Sequence, residues 1–206
     1  MTTRDTSRHL AFLLAPGAGA PSSHPRMQSF ARILSRLGSV HPFDYPYMIA
    51  GRKSPDRLPR LIEAHRAALY ALRQIHSGPI VLAGKSMGGR VGCHLALEEK
   101  VDAVVCLGYP LCSGGDASKL RDQVLLDLKT PAMFVQGTRD SLCPLELFED
   151  VRSRMSAPNS VHIVEGGDHS LLVSKTLLKA RGVTQEDVDL GMADPIETFL
   201  KNFLSC

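Results

Sequence analysis

The chain has 206 residues, of which 44% are hydrophobic and 22% are charged, and its formal net charge is +3. This length allows one full hydrophobic core, and the composition is ordinary for a soluble globular protein. The cations are few and scattered without interleaved aromatic residues, which argues against a nucleic-acid partner.

The start of the chain superficially resembles a secretory signal, because Arg4 and Arg8 precede the apolar run Leu10–Leu14. The run is too short and is followed by Pro16, so we reject a signal peptide and expect residues 1–8 to be flexible. No stretch approaches the ~18 apolar residues of a membrane span. The five cysteines form no Cys-x-x-Cys pair, which favours free thiols in a reducing compartment. We therefore expect a cytoplasmic protein without a membrane span.

Apolar runs alternate with amphipathic stretches along the chain. The predicted strands are Leu10–Ala15, Val40–Tyr45, Pro79–Ala83, Val101–Leu107, Ala132–Gln136 and Val161–Val164. The predicted helices are 26–37, 58–76, 90–98, 144–155, 171–190 with a break at Gly182, and a last one ending near 204, while 47–59 and 109–122 read as irregular connections.

All but the second of these strands are apolar throughout, which is typical of a parallel sheet covered by helices on both faces. The sequence predicts an α/β fold, a three-layer αβα sandwich with a mostly parallel sheet of about six strands. We expect a single domain over residues 1–206, without a cap domain because no inserted segment is long enough to form one.

The stretch Gly84-Lys-Ser-Met-Gly88 fits G-x-S-x-G between a predicted strand and a predicted helix. In that setting the glycines permit a tight turn that leaves the hydroxyl of Ser86 free. A plain helix N-cap is the alternative role for Ser86, but a cap does not require glycine on both sides. The Gly-Lys-Ser end of a phosphate-binding loop is also present, yet Pro79 stands where that motif needs glycine.

Polar residues follow the later strands as well. Asp140 comes after the fifth strand and His169 after the sixth. Ligands bind outside the carboxyl ends of parallel strands, and the chain order Ser, Asp, His is that of a hydrolase triad. We predict Ser86 as nucleophile, His169 as base and Asp140 as the acid that orients it, with Asp116 as the alternative acid.

Four motifs are similar to those of the α/β-hydrolase superfamily, and more narrowly of a small cap-less branch with testis-expressed and dienelactone-hydrolase-like proteins. They are Gly84–Arg90, Tyr109–Leu111, Lys119–Asp122 and Gln136–Asp140, and the resemblance runs from about 10 to 172. It implies a serine hydrolase whose oxyanion hole uses the backbone N–H groups of Met87 and Ala18. The family's usual His-Gly in the latter loop is replaced here by Pro16-Gly17.

Substrate contacts are predicted for Gly17, His24, Lys85, Tyr109 and Leu142. Lys85 departs from the aromatic or apolar residue that many hydrolases carry before the nucleophile. A cation there could attract an anionic group of the substrate, or it could be solvated or paired with a carboxylate. The histidines show no metal-binding spacing, so we expect neither a metal nor another cofactor.

These features together predict a serine hydrolase that cleaves a small ester, thioester or related acyl compound through an acyl-enzyme. The partner would be a small-molecule acyl substrate in an open, shallow site. The alternative is a hydrolase fold kept as a scaffold or binding protein with little turnover, because a fold does not by itself fix a function.

Overall fold

The structure is a computed structural model, and it describes residues 10–114 and 116–204. Its strands are β1 (Ala11–Ala15), β2 (Ser39–Pro42), β3 (Ile80–Lys85), β4 (Ala103–Leu107), β5 (Cys112–Ser113), β6 (Asp116–Leu120), β7 (Ala132–Gly137) and β8 (Asn159–Val164). Its helices are α1 (Pro25–Leu34), α2 (Pro46–Ile49), α3 (Leu58–Ile75), α4 (Met87–Leu95), α5 (Gln123–Asp127), α6 (Leu145–Arg154), α7 (Lys175–Arg181), α8 (Gln185–Leu190) and α9 (Ala193–Phe203). The flexible terminus expected for residues 1–8 lies outside the described residues.

Six strands form one sheet in the spatial order β2-β1-β3-β4-β7-β8, and every neighbouring pair is parallel. The four central strands are buried along their whole length, whereas the edge strands β2 and β8 are only partly covered. This burial explains why the central strands are continuous apolar runs, and the predicted αβα fold is confirmed.

Alternate residues of the central strands enter different cores. Phe12, Leu14 and Val105 pack with residues of α1 and α9 on one face. Leu13 and Leu82 pack with residues of α3 and α4 on the other. Because both faces are covered, the carboxyl edge of the sheet is left as the place where loops converge.

Two connections carry more structure than predicted. The segment read as irregular over 109–122 contains the antiparallel hairpin β5–β6, and the loop after β2 contains the short helix α2. The predicted helix 171–190 is two helices, as the break at Gly182 indicated. Gly182 has φ +67° at the end of α7, and Thr184 then begins α8 with a capping box.

His65 of α3 is buried without a full set of hydrogen bonds. Its exposed fraction is 0%, and its Nδ1 lies 3.3 Å from the hydroxyl of Tyr45. Its Nε2 has no partner among the residues that the structure describes. Burial lowers the pKa of His65 to about 3, so the folded protein holds this ring neutral.

We predict that His65 makes the fold acid-sensitive. The pKa of His65 is about 3 in the folded protein and 6.5 in the unfolded chain. The stability of the fold is therefore unaffected by this ring above pH 6.5 and decreases as the pH falls toward 3. At about pH 4.5 the loss should reach roughly 3 kcal/mol. Urea unfolding of wild type and His65→Phe should therefore diverge between neutral and acid pH, with His41→Gln as control. Parallel pH curves for wild type and His65→Phe would contradict this account.

Candidate active site

Ser86 occupies a strained turn between β3 and α4. Its backbone has φ +50° and ψ −114°, a region that residues with a side chain rarely adopt. Its N–H donates to the carbonyl of Leu107 at 3.1 Å, and its carbonyl accepts from the N–H of Arg90 at 3.1 Å. The neighbouring strand and the first turn of the helix thus hold the serine in this conformation.

The two outer glycines of G-x-S-x-G are required by close backbone contacts. A Cβ on Gly84 would lie 2.3 Å from the carbonyl carbon of Gly88. A Cβ on Gly88 would lie 2.5 Å from the carbonyl oxygen of Ala15 and 2.6 Å from that of Pro16. Any side chain at either position would push α4 away from β1 and β3 and displace Ser86.

His169 joins Ser86 and Asp140 in one hydrogen-bonded chain. Its Nδ1 lies 2.8 Å from Oδ2 of Asp140, and its Nε2 lies 2.8 Å from Oγ of Ser86. A carboxylate can only accept, so Nδ1 carries the proton in the neutral ring and Nε2 is free to accept from the hydroxyl. The structure therefore brings together the three residues predicted for the triad.

Asp140 is fully buried and its carboxylate is well satisfied. The side chain has 0% exposure, and Oδ1 accepts from the N–H of Leu142 at 2.9 Å. Nε2 of Gln136 lies 3.4 Å from Oδ2, while Oε1 of Gln136 accepts from the N–H of Tyr109. Gln136 was missed in the sequence analysis, although a polar residue that ends an apolar strand was a usable sign.

The structure does not support Asp116 as the alternative acid. This residue lies on the hairpin strand β6, where its carboxylate accepts from Ser118 and pairs with Lys119 at 2.9 Å. Its side chain is 41% exposed, and the Nδ1 position of His169 is already taken by Asp140.

The turn that carries His169 is anchored to two helices through Arg26. Nε of Arg26 donates to the carbonyl of Ser170 at 2.7 Å, and Nη2 donates to that of Leu171 at 3.3 Å. Nη1 forms an ion pair with Asp189 of α8 at 2.5 Å. Arg26 was not predicted as a site residue, because its role depends on contacts with residues about 144 positions away in the chain.

The backbone N–H groups of Met87 and Ala18 are the donors predicted for an oxyanion hole. Met87 is the first residue of α4, so its N–H has no intrahelical acceptor. Ala18 lies in the loop after β1, and its carbonyl accepts from the hydroxyl of Tyr47 at 2.8 Å. Neither N–H donates to any of the described residues.

A cleft of about 350 Å³ opens beside Ser86 and His169. Of the predicted substrate contacts, four line it: Gly17, His24, Lys85 and Leu142. The side chain of His24 also caps α1 by accepting from the N–H of Arg26 at 3.1 Å.

The prediction that Tyr109 contacts substrate needs correction. Its side chain is fully buried and packs edge-on against Phe134, with ring centroids 6.1 Å apart. Its hydroxyl donates to the carbonyl of Arg121 at 2.8 Å, so the ring belongs to the core beneath α5 and α6 and not to the cleft. Because the chain turns after β4, the large ring of Tyr109 packs into the adjacent apolar cluster.

Lys85 ends β3 with a side chain that is largely buried, lines the cleft and forms no ion pair within the described residues. The residue is 8% exposed, and its ammonium has no hydrogen bond or ion pair with any described residue. Burial lowers the pKa of Lys85 to about 8, and the charge of Arg26 acts in the same direction. The charges of Asp140 and Asp168 oppose this shift without overcoming it.

Within residues 10–114 and 116–204, no group of three or more His, Cys, Asp or Glu residues could hold a metal ion. Within the same residues, no helix is long and apolar enough to cross a membrane.

A six-stranded parallel sheet with a serine at a strained strand-to-helix turn defines the class of α/β hydrolases. The model of the family described as "Alpha/beta hydrolase domain" matches residues 8–201, so the chain belongs to the alpha/beta hydrolase family.

Solved structures show the same fold. A serine hydrolase without a lid from Xanthomonas campestris is 15% identical, with a TM-score of 0.73 over 99% of this chain and 87% of that one. A dienelactone hydrolase from Anabaena variabilis is 20% identical, with a TM-score of 0.67 over 96% and 88% of the two chains. An alpha-beta serine hydrolase homologue from Coxiella burnetii is 18% identical, with a TM-score of 0.70 over 92% and 87%.

We predict that Lys85→Met stabilises the protein at neutral pH. The pKa of about 8 in the fold lies below the 10.5 of a free lysine, so the fold bears the full cost of the buried ammonium below pH 8. The substitution should raise the free energy of unfolding at pH 7 by roughly 3 kcal/mol, and the gain should vanish as pH rises toward 10.5. Urea unfolding at several pH values measures both effects, with the exposed Lys53→Met as control. A Lys85→Met protein that is less stable at pH 7 would contradict the prediction.

Proposed function

We propose that the protein is a serine hydrolase that cleaves a small ester, thioester or related acyl compound through an acyl-enzyme. The observation that carries the proposal is the ring of His169, with Ser86 bound to one nitrogen and the buried Asp140 to the other, beside an open cleft. Membership in the alpha/beta hydrolase family supports the same conclusion.

In the first half of the reaction, the hydroxyl oxygen of Ser86 attacks the acyl carbon and its proton passes to Nε2 of His169. Asp140 holds the ring in the required tautomer and stabilises the imidazolium that forms. The negative charge on the former carbonyl oxygen is met by the N–H groups of Met87 and Ala18, reinforced by the N-terminus of α4. His169 then returns the proton to the leaving group, and the acyl group stays on Ser86.

In the second half, a water molecule attacks the acyl-enzyme while His169 accepts one of its protons. The second tetrahedral intermediate uses the same two N–H donors. Its collapse releases the acid and restores the hydroxyl of Ser86.

The geometry around Ser86 and Asp140 favours an enzyme over a scaffold, because it includes features that lower the stability of the fold. The turn at Ser86 keeps a non-glycine residue at φ +50°, and the carboxylate of Asp140 is buried in the fold. Strain of this kind usually costs about 1–3 kcal/mol and persists where a function requires it. A protein that only binds a partner through this fold would need neither feature.

We predict that a fluorophosphonate probe labels the wild-type protein and that the modified residue is Ser86. The probe reacts only with a serine that a base has activated, so Ser86→Ala should lose all labelling. Ser29→Ala, on α1 outside the cleft, should be labelled like wild type. The measurement is labelling followed by peptide mass spectrometry. Well-folded wild-type protein that resists the probe would instead support the scaffold or binding role.

The two candidate acids can be separated by a matched pair of variants. Asp140→Asn should lower kcat/KM for a short-chain ester by about 10³–10⁴-fold, because the asparagine amide favours the wrong tautomer of His169. Asp116→Asn, on the exposed hairpin, should change kcat/KM by less than about twofold. Steady-state kinetics on both variants decides between them. A large loss in Asp116→Asn with an active Asp140→Asn would reverse the assignment.

A further inference from the structure

The ionisable side chains that line the cleft are all basic. They are His24, Arg26, Lys85 and His169, and no aspartate or glutamate within the described residues shares the lining. Arg26 is neutralised by Asp189, and His169 is bound to Asp140. Lys85 forms no ion pair or hydrogen bond with a described side chain, and the charges of Asp140 and Asp168 act on it only from a greater distance.

Two helices begin at the same cleft and add to its positive character. The first residues of α1 follow His24, and Arg26 and Met27 of its first turn line the wall. The first residues of α4 follow Ser86. At α1, Pro25 has no N–H and the N–H of Arg26 is bound by His24, so the free N–H groups are mainly those at the start of α4. Their partial positive charge, together with the dipoles of both helices, favours an anion in the cleft.

The lysine side chain lies between the loops that follow β1 and β4, the strands on either side of β3. A Cβ on Gly17, after β1, would lie 3.4 Å from Cγ of Lys85. A Cβ on Gly108, after β4, would lie 3.5 Å from Nζ and only 2.6 Å from the carbonyl oxygen of His169. The backbone at both positions thus lies close to the lysine side chain, which lines the cleft together with Ser86.

A largely buried ammonium without an ion-pair partner is unfavourable, and an apolar side chain of similar length could fill the same space at lower cost. A bound anion would remove this penalty by supplying the missing charge. We propose that the cleft recognises a carboxylate on the substrate, close to the scissile acyl bond, with Lys85 as its counter-ion. This inference rests on the proposed hydrolase function and narrows its substrate class.

Two placements of the carboxylate share this chemistry. It can belong to the acyl part, as in a monoester of a short dicarboxylic acid, or to the leaving group, as in an acyl ester of a short hydroxy acid. In either case water cleaves the acyl C–O bond of the ester, and the products are a carboxylic acid and an alcohol.

The test compares two pairs of esters in which a neutral amide replaces the carboxylate. Monomethyl succinate against methyl succinamate tests the acyl side, and acetoxyacetate against acetoxyacetamide tests the leaving-group side. If the carboxylate pairs with Lys85, the acid ester of one pair should have a kcat/KM roughly 10- to 100-fold higher than the amide ester of the same pair. That ratio should fall toward one in Lys85→Met and should be largely kept in Lys85→Arg, which retains the charge. The ratio within a pair cancels any general loss of activity in a variant.

A measurement on wild-type protein keeps the inference testable if Lys85→Met fails to fold. Free succinate should slow fluorophosphonate labelling of Ser86 at a concentration at least about tenfold below that needed by succinamide.

The outcomes separate the two proposals. Ser86 that is labelled, in a protein that cleaves acid and amide esters equally well in both pairs, overturns the carboxylate inference alone. A preference that survives Lys85→Met overturns the role of Lys85. Failure of labelling together with failure to cleave any of the four esters overturns the hydrolase function and the carboxylate inference with it.

Discussion

The close approach of α4 to β1 and β3 is the constraint on which the site depends. Gly84 and Gly88 allow backbone contacts that no side chain would permit, and these contacts hold Ser86 at φ +50° at the edge of the sheet. The first N–H groups of α4 follow directly after Ser86 and have no acceptor within the helix. The strained turn at Ser86 and a region of positive potential thus follow from one packing contact.

The other charged groups at this edge differ in how the fold satisfies them. Asp140 is buried but accepts hydrogen bonds from the backbone of Leu142 and from His169. Arg26 is nearly buried but binds Asp189 and two carbonyl groups of the turn after His169. Lys85 is buried next to both and has no such partner among the described residues. A buried charge is tolerated when its partners are present, so the lysine is the position where a ligand would complete the arrangement.

The prediction from sequence was most accurate where one residue type and its place in the chain were enough. G-x-S-x-G, and polar residues directly after apolar strands, led to Ser86, Asp140 and His169, which the structure places in contact. It was least accurate where a role depends on neighbours that are distant in the chain. Arg26 was missed for this reason, and Tyr109 was placed in the cleft although its ring fills the core. Gln136 was missed although it lies only four positions from Asp140.

By itself, the sequence determined the alternation of strands and helices, the parallel sheet and the order of the serine, the acid and the histidine. These follow from local hydrophobic patterns and from the rule that ligands meet the carboxyl ends of parallel strands. The tertiary structure alone decided that Asp140 rather than Asp116 reaches His169, and that Lys85 is buried without a partner. Both depend on which strand ends lie side by side, in the order β2-β1-β3-β4-β7-β8, and that order comes from packing between segments far apart in the chain.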